Sequence, residues 1–456
     1  MKKQTVGIYT LGCRLNIYES DGILNQFISN GYQAVNWEDG PDIAIINTCT
    51  VTSHADSKNR YIIRNLLKKN PSAKIIVTGC YAQTDQEELQ KIPGVWAIIG
   101  NEKKSKIFEI YQQKNSNEEK VIYSTGPLNY FEESKKRRPI EDPFSYGNVV
   151  PINHTRAYLK IQDGCDRKCS YCKIPMARGG GISRSIEEIL YQVDQLEASK
   201  IPEIVLTGVN IGWYRYKHFR FNDLIEKILE RLKFSRLRIS SIEPSDVNER
   251  LAELSLHPKF CNFLHVPLQS GSDKILRMMK RSYNSKTFSL RIEKVLKINP
   301  DIFLGTDVIV GFPTETEEDF RKTIDLILNL NFVNIHAFPF SLRKDTEIEK
   351  FVQNNKSTLV TKHIVQNRIN ELFELKEKQM LKYLKNSLYK MYQGIVEEIA
   401  NGYIKVLTEN YLYVKIPHKE NNFKKGMILQ VQICDFYRVF NQNTKKYDIE
   451  ILGRIV

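Results

Sequence analysis

The sequence lacks any apolar segment approaching the roughly 18 residues that a membrane-spanning helix needs. Its basic start is followed by an apolar stretch, residues 6–11, which is shorter than the roughly 7 to 15 residues of a signal-peptide core. These two absences argue against membrane insertion and secretion. We therefore expect a cytoplasmic protein with no membrane partner.

Cysteine is scarce, with eight residues in 456, and this number is too small for a disulfide scaffold. The eight histidines form no metal-binding or nucleophile pattern by spacing, and the sequence has neither a Gly-x-Ser-x-Gly elbow nor a P-loop. Hydrolase and NTPase functions therefore have no support. In a reducing compartment, closely spaced cysteines are more often metal ligands or catalytic groups, so their positions carry most of the information.

The chain carries a large positive charge, because 67 Lys and Arg residues outnumber 53 Asp and Glu residues and give a net charge of +14. A basic balance of this size indicates a polyanionic partner such as nucleic acid. A lysine-rich solvated surface remains the alternative interpretation.

The length is about three times that of a typical domain, which predicts two or three domains. Apolar runs alternating with helix-like segments predict an open parallel α/β domain over residues 1–112. A polar, proline-bearing linker is expected over 113–150. The predicted strands of the first domain are residues 6–11, 43–47, 75–78 and 96–100.

Residues 151–385 repeat a strand-helix pattern six times and end in a long helix, which predicts a partial barrel of six parallel strands. Its predicted strands are residues 158–161, 204–207, 237–242, 263–268, 303–310 and 333–338. Residues 386–456 show short alternating segments with turn signals, which predict a small closed β-barrel. The fold class is therefore α/β with a β-rich tail.

The strongest motif is Cys165-x3-Cys169-x2-Cys172, which directly follows the first predicted barrel strand. Three thiolates this close repel one another unless a cation or cluster shares their charge. A 4Fe-4S cluster held by three cysteines leaves one iron open for a substrate or cofactor. A zinc ion with a distant fourth ligand such as His154 is the alternative.

Three further cysteines, Cys13, Cys49 and Cys80, each follow the end of a predicted strand in the first domain. If these strands are neighbours in one parallel sheet, the three sulfurs point into the crevice at its carboxyl edge, where ligands usually bind. The alternative for each is a buried small apolar side chain.

The first motif, with an aromatic residue before its last cysteine and a six-unit barrel behind it, resembles the radical S-adenosylmethionine (SAM) enzymes. With the amino-terminal cysteines and the β-rich tail, the whole chain resembles the methylthiotransferases of that superfamily. The supporting stretches are LTGVNIG at 206–212, SIEP at 241–244, HVPLQSG at 265–271, GTDVIVGFP at 305–313 and HAFPFS at 336–341.

This resemblance implies two 4Fe-4S clusters, one on Cys165, Cys169 and Cys172 and an auxiliary one on Cys13, Cys49 and Cys80. It implies SAM as cofactor, with the backbone of Thr207 and Gly208, the side chains of Ser241 and Glu243, and the ring of Tyr171 as its contacts. No side-chain acid or base is implied as a catalytic residue. An electron donor such as flavodoxin is also implied.

The subfamily resembled most is the one acting on N6-threonylcarbamoyladenosine in the tRNA anticodon loop, with one radical step at C2 of adenine and two SAM per product. Isopentenyladenosine in tRNA and an aspartate of a ribosomal protein are the alternative substrates within the family. The tail resembles a TRAM domain, and its tyrosines among lysines suit stacking on unpaired bases, although tyrosine is also an ordinary strand residue. One departure from the family pattern is Asp345, which stands where relatives have Gly before the Thr.

Overall fold

The computed structural model describes residues 3–114, 120–124, 126–128, 130–131, 136–137, 139–355, 358–418, 422–441 and 446–456. Part of the predicted linker therefore lies outside the described residues. A search of the described residues finds no helix with the length and apolar character that a bilayer crossing requires.

The amino-terminal part is one parallel sheet of six strands in the order β2-β1-β3-β4-β5-β6. Its strands are β1 (Thr5–Thr10), β2 (Gln33–Ala34), β3 (Ile43–Thr48), β4 (Lys74–Gly79), β5 (Val95–Ile99) and β6 (Val121–Tyr123). Its helices are α1 (Arg14–Ser29), α2 (Ser53–Lys69), α3 (Cys80–Thr84), α4 (Gln86–Gln90) and α5 (Ile107–Lys114). β3, β4 and β5 are buried along their length because helices cover both faces of the sheet.

The segment that follows contains a short hairpin of β7 (Tyr130–Phe131) and β8 (Lys136–Arg137). The central part then repeats strand and helix six times. Its parallel strands are β9 (Ala157–Lys160), β12 (Glu203–Thr207), β15 (Arg236–Ile239), β16 (Phe263–His265), β17 (Phe303–Val310) and β18 (Asn334–Pro339). Two short antiparallel strand pairs lie beside them, β10 (Gln162–Asp163) with β11 (Ile182–Ser183), and β13 (Arg215–Tyr216) with β14 (Phe219–Arg220).

The helices of this part pack on the outer side of the strands, except the first, which lies against α3 of the amino-terminal part. They are α6 (Ile174–Arg178), α7 (Ile186–Ala198), α8 (Phe221–Leu229), α9 (Glu249–Leu254), α10 (Asp273–Met278), α11 (Ser285–Ile298), α12 (Glu317–Asn329), α13 (Glu347–Asn354) and α14 (Lys362–Ser387). The strands form two three-stranded sheets, β15-β12-β9 and β16-β17-β18, which meet where Leu237 bridges Phe260. In the described residues no pairing closes the ring between β9 and β18, so the barrel is partial, as predicted.

The tail is a closed five-stranded barrel in the order β19-β20-β21-β23-β22. Its strands are β19 (Met391–Ala400), β20 (Tyr403–Thr408), β21 (Tyr413–Pro417), β22 (Ile428–Asn441) and β23 (Lys446–Ile455). Its core is continuous with Phe263, Phe303 and Val333, which lie at or just before the amino ends of β16, β17 and β18. The tail therefore packs against the base of the central barrel, opposite the edge where the strands end.

The predicted fold class is confirmed in all three parts. Each predicted strand overlaps an observed one, whereas β2 and β6 were not predicted because two or three residues are too few to show alternation. The departure at Asp345 also has a structural reason, because this residue adopts a positive φ of 67°. That conformation suits glycine best, and aspartate is among the few other residues that enter it readily.

Candidate active site

Cys165, Cys169 and Cys172 lie in the loop that leads from β9 and β10 to α6, at the carboxyl end of the first barrel strand. Gly164 makes this loop possible, because it has a φ of +67° and a Cβ there would lie 1.9 Å from the carbonyl oxygen of Gly180. The amide of Cys165 donates to the carbonyl of Gly179 at 3.0 Å. The loop is thus fixed on both sides of its first cysteine.

The thiols of this loop lie in a buried, mutually repelling environment. Burial and the neighbouring thiol of Cys169 raise the pKa of Cys172 to about 12. Burial also raises the pKa of Cys165 to about 11. Arg281 lies beside them, with Nη1 3.3 Å from Sγ of Cys169. These groups become thiolates at neutral pH only when a bound cation or cluster compensates them.

The structure does not bring the candidate fourth zinc ligand, His154, to the cysteine loop. Across the described ranges, the one trio of metal-ligand side chains with donor atoms all within 4.8 Å of one another is His265, Asp307 and His336. A tetrahedral zinc ion with Zn–S bonds of about 2.3 Å would hold its thiolates within about 4 Å. His154 lies before the amino end of β9 beside Tyr158, at the other end of the strand from Cys165.

The second set of cysteines follows three adjacent strands. Cys13 follows β1 and precedes α1, Cys49 follows β3, and Cys80 begins α3 directly after β4. Because β1, β3 and β4 are neighbours and parallel, the condition set by the sequence is met, and the three residues share one edge of the sheet. Cys49 and Cys80 are buried, and Cys13 is exposed.

Two glycines let the backbone approach closely at this edge. A Cβ at Gly12 would lie 2.8 Å from Sγ of Cys49, and one at Gly79 would lie 2.5 Å from the carbonyl oxygen of Thr48. Burial, with the thiols of Cys80 and Cys13, raises the pKa of Cys49 to about 12, and Arg178 opposes that rise.

A buried ionic network joins the two sets of cysteines. Glu19 on α1 pairs with Lys104, Lys160 and Arg178 at 2.5, 2.7 and 2.9 Å. Asp163, two residues before Cys165, pairs with Lys160 and Arg178 at 2.6 and 3.0 Å. Their side chains are at most 2% exposed. Three cations therefore face two carboxylates, and the surplus positive charge lies beside the amino-terminal thiols.

A second contact links the amino-terminal cysteine edge to the central barrel. Arg343, in the loop after β18, is 4% exposed. Its Nη2 donates to Thr50 Oγ1 at 2.8 Å and to Asp56 at 2.5 Å. Thr50 directly follows Cys49, so this arginine ties the Cys49 loop to the open edge of the barrel.

The predicted SAM contacts Thr207 and Gly208 lie at the carboxyl end of β12. A Cβ at Gly208 would lie 2.8 Å from the carbonyl oxygen of Gln162, so only glycine fits. Nearby Asn210 was not singled out from the sequence, although it lies in the LTGVNIG stretch. Among the described residues, both polar atoms of its buried amide lack a hydrogen-bond partner. A buried unpaired amide is costly, so it fits a polar ligand such as the amino acid part of SAM.

The other three predicted SAM contacts lie in different surroundings. Glu243 accepts a hydrogen bond from Arg281, the arginine that also contacts Cys169, so it lies next to the cysteine loop. Ser241 is exposed just after β15. The Tyr171 ring packs against Phe312, with centroids 6.1 Å apart, in a small apolar cluster.

Comparison with known families matches two parts of the chain. Residues 5–100 match the model of uncharacterized protein family UPF0004, and residues 159–327 match the radical SAM superfamily. A radical SAM methyltransferase from Kitasatospora setae, TsrM, solved with cobalamin and a 4Fe-4S cluster, shares the fold with a TM-score of 0.57 at 14% identity. That similarity covers 77% of this chain and 75% of that one. The fold and the cysteine motif define a radical SAM enzyme.

Similarity to individual proteins identifies a subfamily within the radical SAM enzymes. The threonylcarbamoyladenosine tRNA methylthiotransferase MtaB of Bacillus subtilis (strain 168) is 35% identical over 96% of this chain and 95% of its own length. A tRNA-2-methylthio-N(6)-dimethylallyladenosine synthase of Methylacidiphilum infernorum (isolate V4) is 35% identical over 75% of this chain and 74% of its own. The chain belongs to the radical SAM tRNA methylthiotransferases of the MtaB type.

Proposed function

We propose that the enzyme attaches a methylthio group to C2 of N6-threonylcarbamoyladenosine next to the anticodon in tRNA. The observation that carries the proposal is the pair of cysteine trios at adjoining edges of two sheets, joined by the buried Glu19–Arg178 network. The full-length similarity to an enzyme named for this substrate supports it.

We propose that Cys165, Cys169 and Cys172 hold one 4Fe-4S cluster and that Cys13, Cys49 and Cys80 hold a second. When bound, a cluster on Cys165, Cys169 and Cys172 would supply the electron for reductive cleavage of SAM, and one on Cys13, Cys49 and Cys80 would supply the sulfur. Two SAM molecules are consumed per product, one for the methyl group and one for the radical. The donor sets fit, because each offers three thiols and leaves one iron position for another ligand.

The residues of the chain bind, orient and exclude water. Asn210 and the backbone of Thr207 and Gly208 offer polar groups to the amino acid part of SAM, and Glu243, held by Arg281, offers a carboxylate near the cysteine loop. The ions between the two trios are paired with one another and at most 2% exposed, so this wall of the site is shielded from solvent. A dry, fixed site protects a reactive radical from side reactions.

The RNA is proposed to bind through residues 386–456, with residues 1–112 carrying the auxiliary cluster, 113–150 a linker, and 151–385 the radical SAM domain. Tyr389, Tyr413, Tyr437 and Tyr447 are between 40% and 70% exposed and offer stacking faces beside lysines. An anticodon-loop adenine is unpaired and costs little to present to a buried site. A reductant such as flavodoxin is a further proposed partner.

The cluster assignment is tested by replacing Cys13, Cys49 and Cys80 together with Ala. Anaerobic reconstitution should then give about four instead of about eight irons per chain, because one of two cubanes is lost. The variant should still form 5'-deoxyadenosine and make no methylthio product. Cys434→Ala, outside both trios, is the matched control. Retained product formation by the triple variant would contradict the assignment.

The substrate is tested by mass spectrometry of tRNA nucleosides from cells with and without the gene. Loss of 2-methylthio-N6-threonylcarbamoyladenosine is expected. Loss of the isopentenyl counterpart instead would identify the alternative nucleoside, which a similar relative is named for. Activity that survives nuclease treatment and needs no tRNA would point to the ribosomal-protein aspartate.

A further inference from the structure

Two histidines and an aspartate meet inside the central barrel, one from each strand of its second half. Nε2 of His265 lies 2.9 Å from Oδ1 of Asp307, and Nδ1 of His336 lies 3.3 Å from the same oxygen. His265 and His336, the outermost of the three in the sequence, are 71 positions apart. The spacing of these residues therefore did not indicate that they form a cluster. Neither the cysteine chemistry nor the proposed SAM contacts use them.

All three side chains point into the barrel. Leu264, Leu304, Val308 and Ile335 belong to the core under the outer helices, and side chains alternate along a strand, so the residues between them face the interior. Asp307 is paired with His336 across β17 and β18. Gly305 makes room for the trio, since a Cβ there would lie 2.7 Å from Nδ1 of His265.

The trio lies one layer below the cysteine loop. Ile309 follows Asp307 by two residues, about 7 Å along a strand, and packs in the cluster that contains Tyr171, the neighbour of Cys172. A group lodged against the trio is therefore close to the proposed radical site without touching the cysteines.

Exposure rises steadily across the trio. The side chains of His265, Asp307 and His336 are 7%, 24% and 43% exposed, so His336 is the member that faces an incoming ligand. Its Nδ1 is directed at Asp307, so Nε2 lies on the side of the ring turned away from the aspartate. Burial acts against ionisation of Asp307, but the two imidazoles outweigh it and hold the pKa of this carboxyl well below its usual range. The aspartate is thus an anion that orients the His336 ring.

An aromatic ring lies beside this histidine. Phe338 is two residues further along β18, is 46% exposed, and has its ring centroid 6.4 Å from that of His336. This arrangement suits a purine with a polar substituent. The purine can stack on the exposed Phe338 ring while its substituent reaches the nitrogen of His336.

From this geometry we infer that His336, oriented by Asp307 and His265, accepts a hydrogen bond at Nε2 from the threonyl hydroxyl or a carbamoyl N–H of the N6 substituent while the adenine stacks on Phe338. This inference rests on the proposed function and names the feature by which the enzyme recognises a threonylcarbamoyl group. The carboxylate of Asp307 can only accept a hydrogen bond, so the N–H of the His336 ring is the Nδ1–H that faces it, and Nε2 offers a lone pair. An apolar isopentenyl group offers no such hydrogen to Nε2, and a site built to bond a polar group discriminates against an analogue that lacks it.

The test uses the reconstituted full-length enzyme and two tRNAs, one carrying N6-threonylcarbamoyladenosine and one carrying N6-isopentenyladenosine. His336→Phe should raise KM for the first tRNA about tenfold or more, as expected when a polar recognition contact is lost. Its iron content should stay unchanged, because His336 does not belong to either cysteine set. His336→Gln, which keeps a polar group near the position of Nε2, should recover part of the loss. Asp307→Asn should also raise KM, because Asp307 is a positioning residue that orients the His336 ring.

His363→Phe is the matched control, because His363 lies exposed on α14 away from the barrel interior, and this variant should behave as wild type. An unchanged KM in His336→Phe overturns the inference and leaves the proposed function intact. A stoichiometric divalent metal other than iron that disappears in Asp307→Asn also overturns it, because the trio is then a metal site. A wild-type enzyme that modifies neither tRNA overturns the proposed function and the inference together.

Discussion

Arg178 holds Glu19 in a two-pronged ion pair, with Nη1–Oε1 and Nη2–Oε2 distances of 2.9 and 3.0 Å. The arginine ends α6, just after the Cys165 loop, and the glutamate lies on α1, which starts beside Cys13. This one pair therefore joins the elements that carry the two cysteine sets.

Arg178→Met is expected to lower the free energy of unfolding by about 3 kcal/mol, because buried oxygens of Glu19, Asp163 and Asn16 lose a hydrogen-bond donor. Urea unfolding of anaerobically prepared protein measures this. Arg250→Met removes an arginine whose ion pairs are solvent-exposed and should leave the unfolding midpoint where it is. Equal midpoints for both variants would show that the buried network contributes nothing.

Gly164→Ala is expected to remove the iron bound near Cys165 and to leave the amino-terminal iron in place. The new Cβ would lie 1.9 Å from a backbone oxygen at a φ of +67°, so the loop must move. Iron and sulfide analysis should give about half the wild-type content. Gly147→Ala is the control, since Gly147 has a φ of +71° with open space around it. Full iron content in Gly164→Ala would mean that the loop tolerates displacement.

Arg343→Met is expected to lower the yield of methylthio product per 5'-deoxyadenosine formed. The arginine holds the Cys49 loop through Thr50 and Asp56, and a small misplacement of reacting groups costs rate steeply. Chromatographic quantification of both products measures the ratio. Arg321→Met, on the exposed side of α12, should keep the wild-type ratio. A proportional loss of both products in Arg343→Met would indicate general destabilisation instead.

Asp21→Asn is expected to stabilise the protein above pH 7 and to have little effect near pH 4. Burial raises the pKa of Asp21 to about 7, so the folded state binds a proton that the unfolded chain has released. Stability contributed by this group is therefore full at low pH and is lost as the pH rises from about 4 to 7, by at most about 4 kcal/mol. Thermal unfolding of both proteins across this range measures the effect, and parallel pH profiles would contradict it.

The sequence was sufficient to predict the strands and the grouping of the cysteines, because both depend on short-range pattern. Cys13, Cys49 and Cys80 each end a strand, and the parallel topology then brings them to one edge. The contacts of Arg178 with Glu19, and of Arg343 with Thr50, join residues far apart in the chain and follow from packing alone. The pairing of His265 and His336 through Asp307 was missed for the same reason, since histidine spacing in sequence does not report on facing strands.

The shared core between the tail and the base of the barrel has a practical consequence. Phe263, Phe303 and Val333 are at most 5% exposed, and they share one core with Val396, Leu412 and other residues of the tail; the Phe263 ring stacks on Tyr411. A chain truncated after Ser387 would expose this apolar surface to water and would aggregate. The tail therefore cannot be exchanged between enzymes as an independent domain. A tail from another enzyme could be introduced only if Phe263, Phe303 and Val333 were replaced together with the carboxy-terminal barrel that covers them.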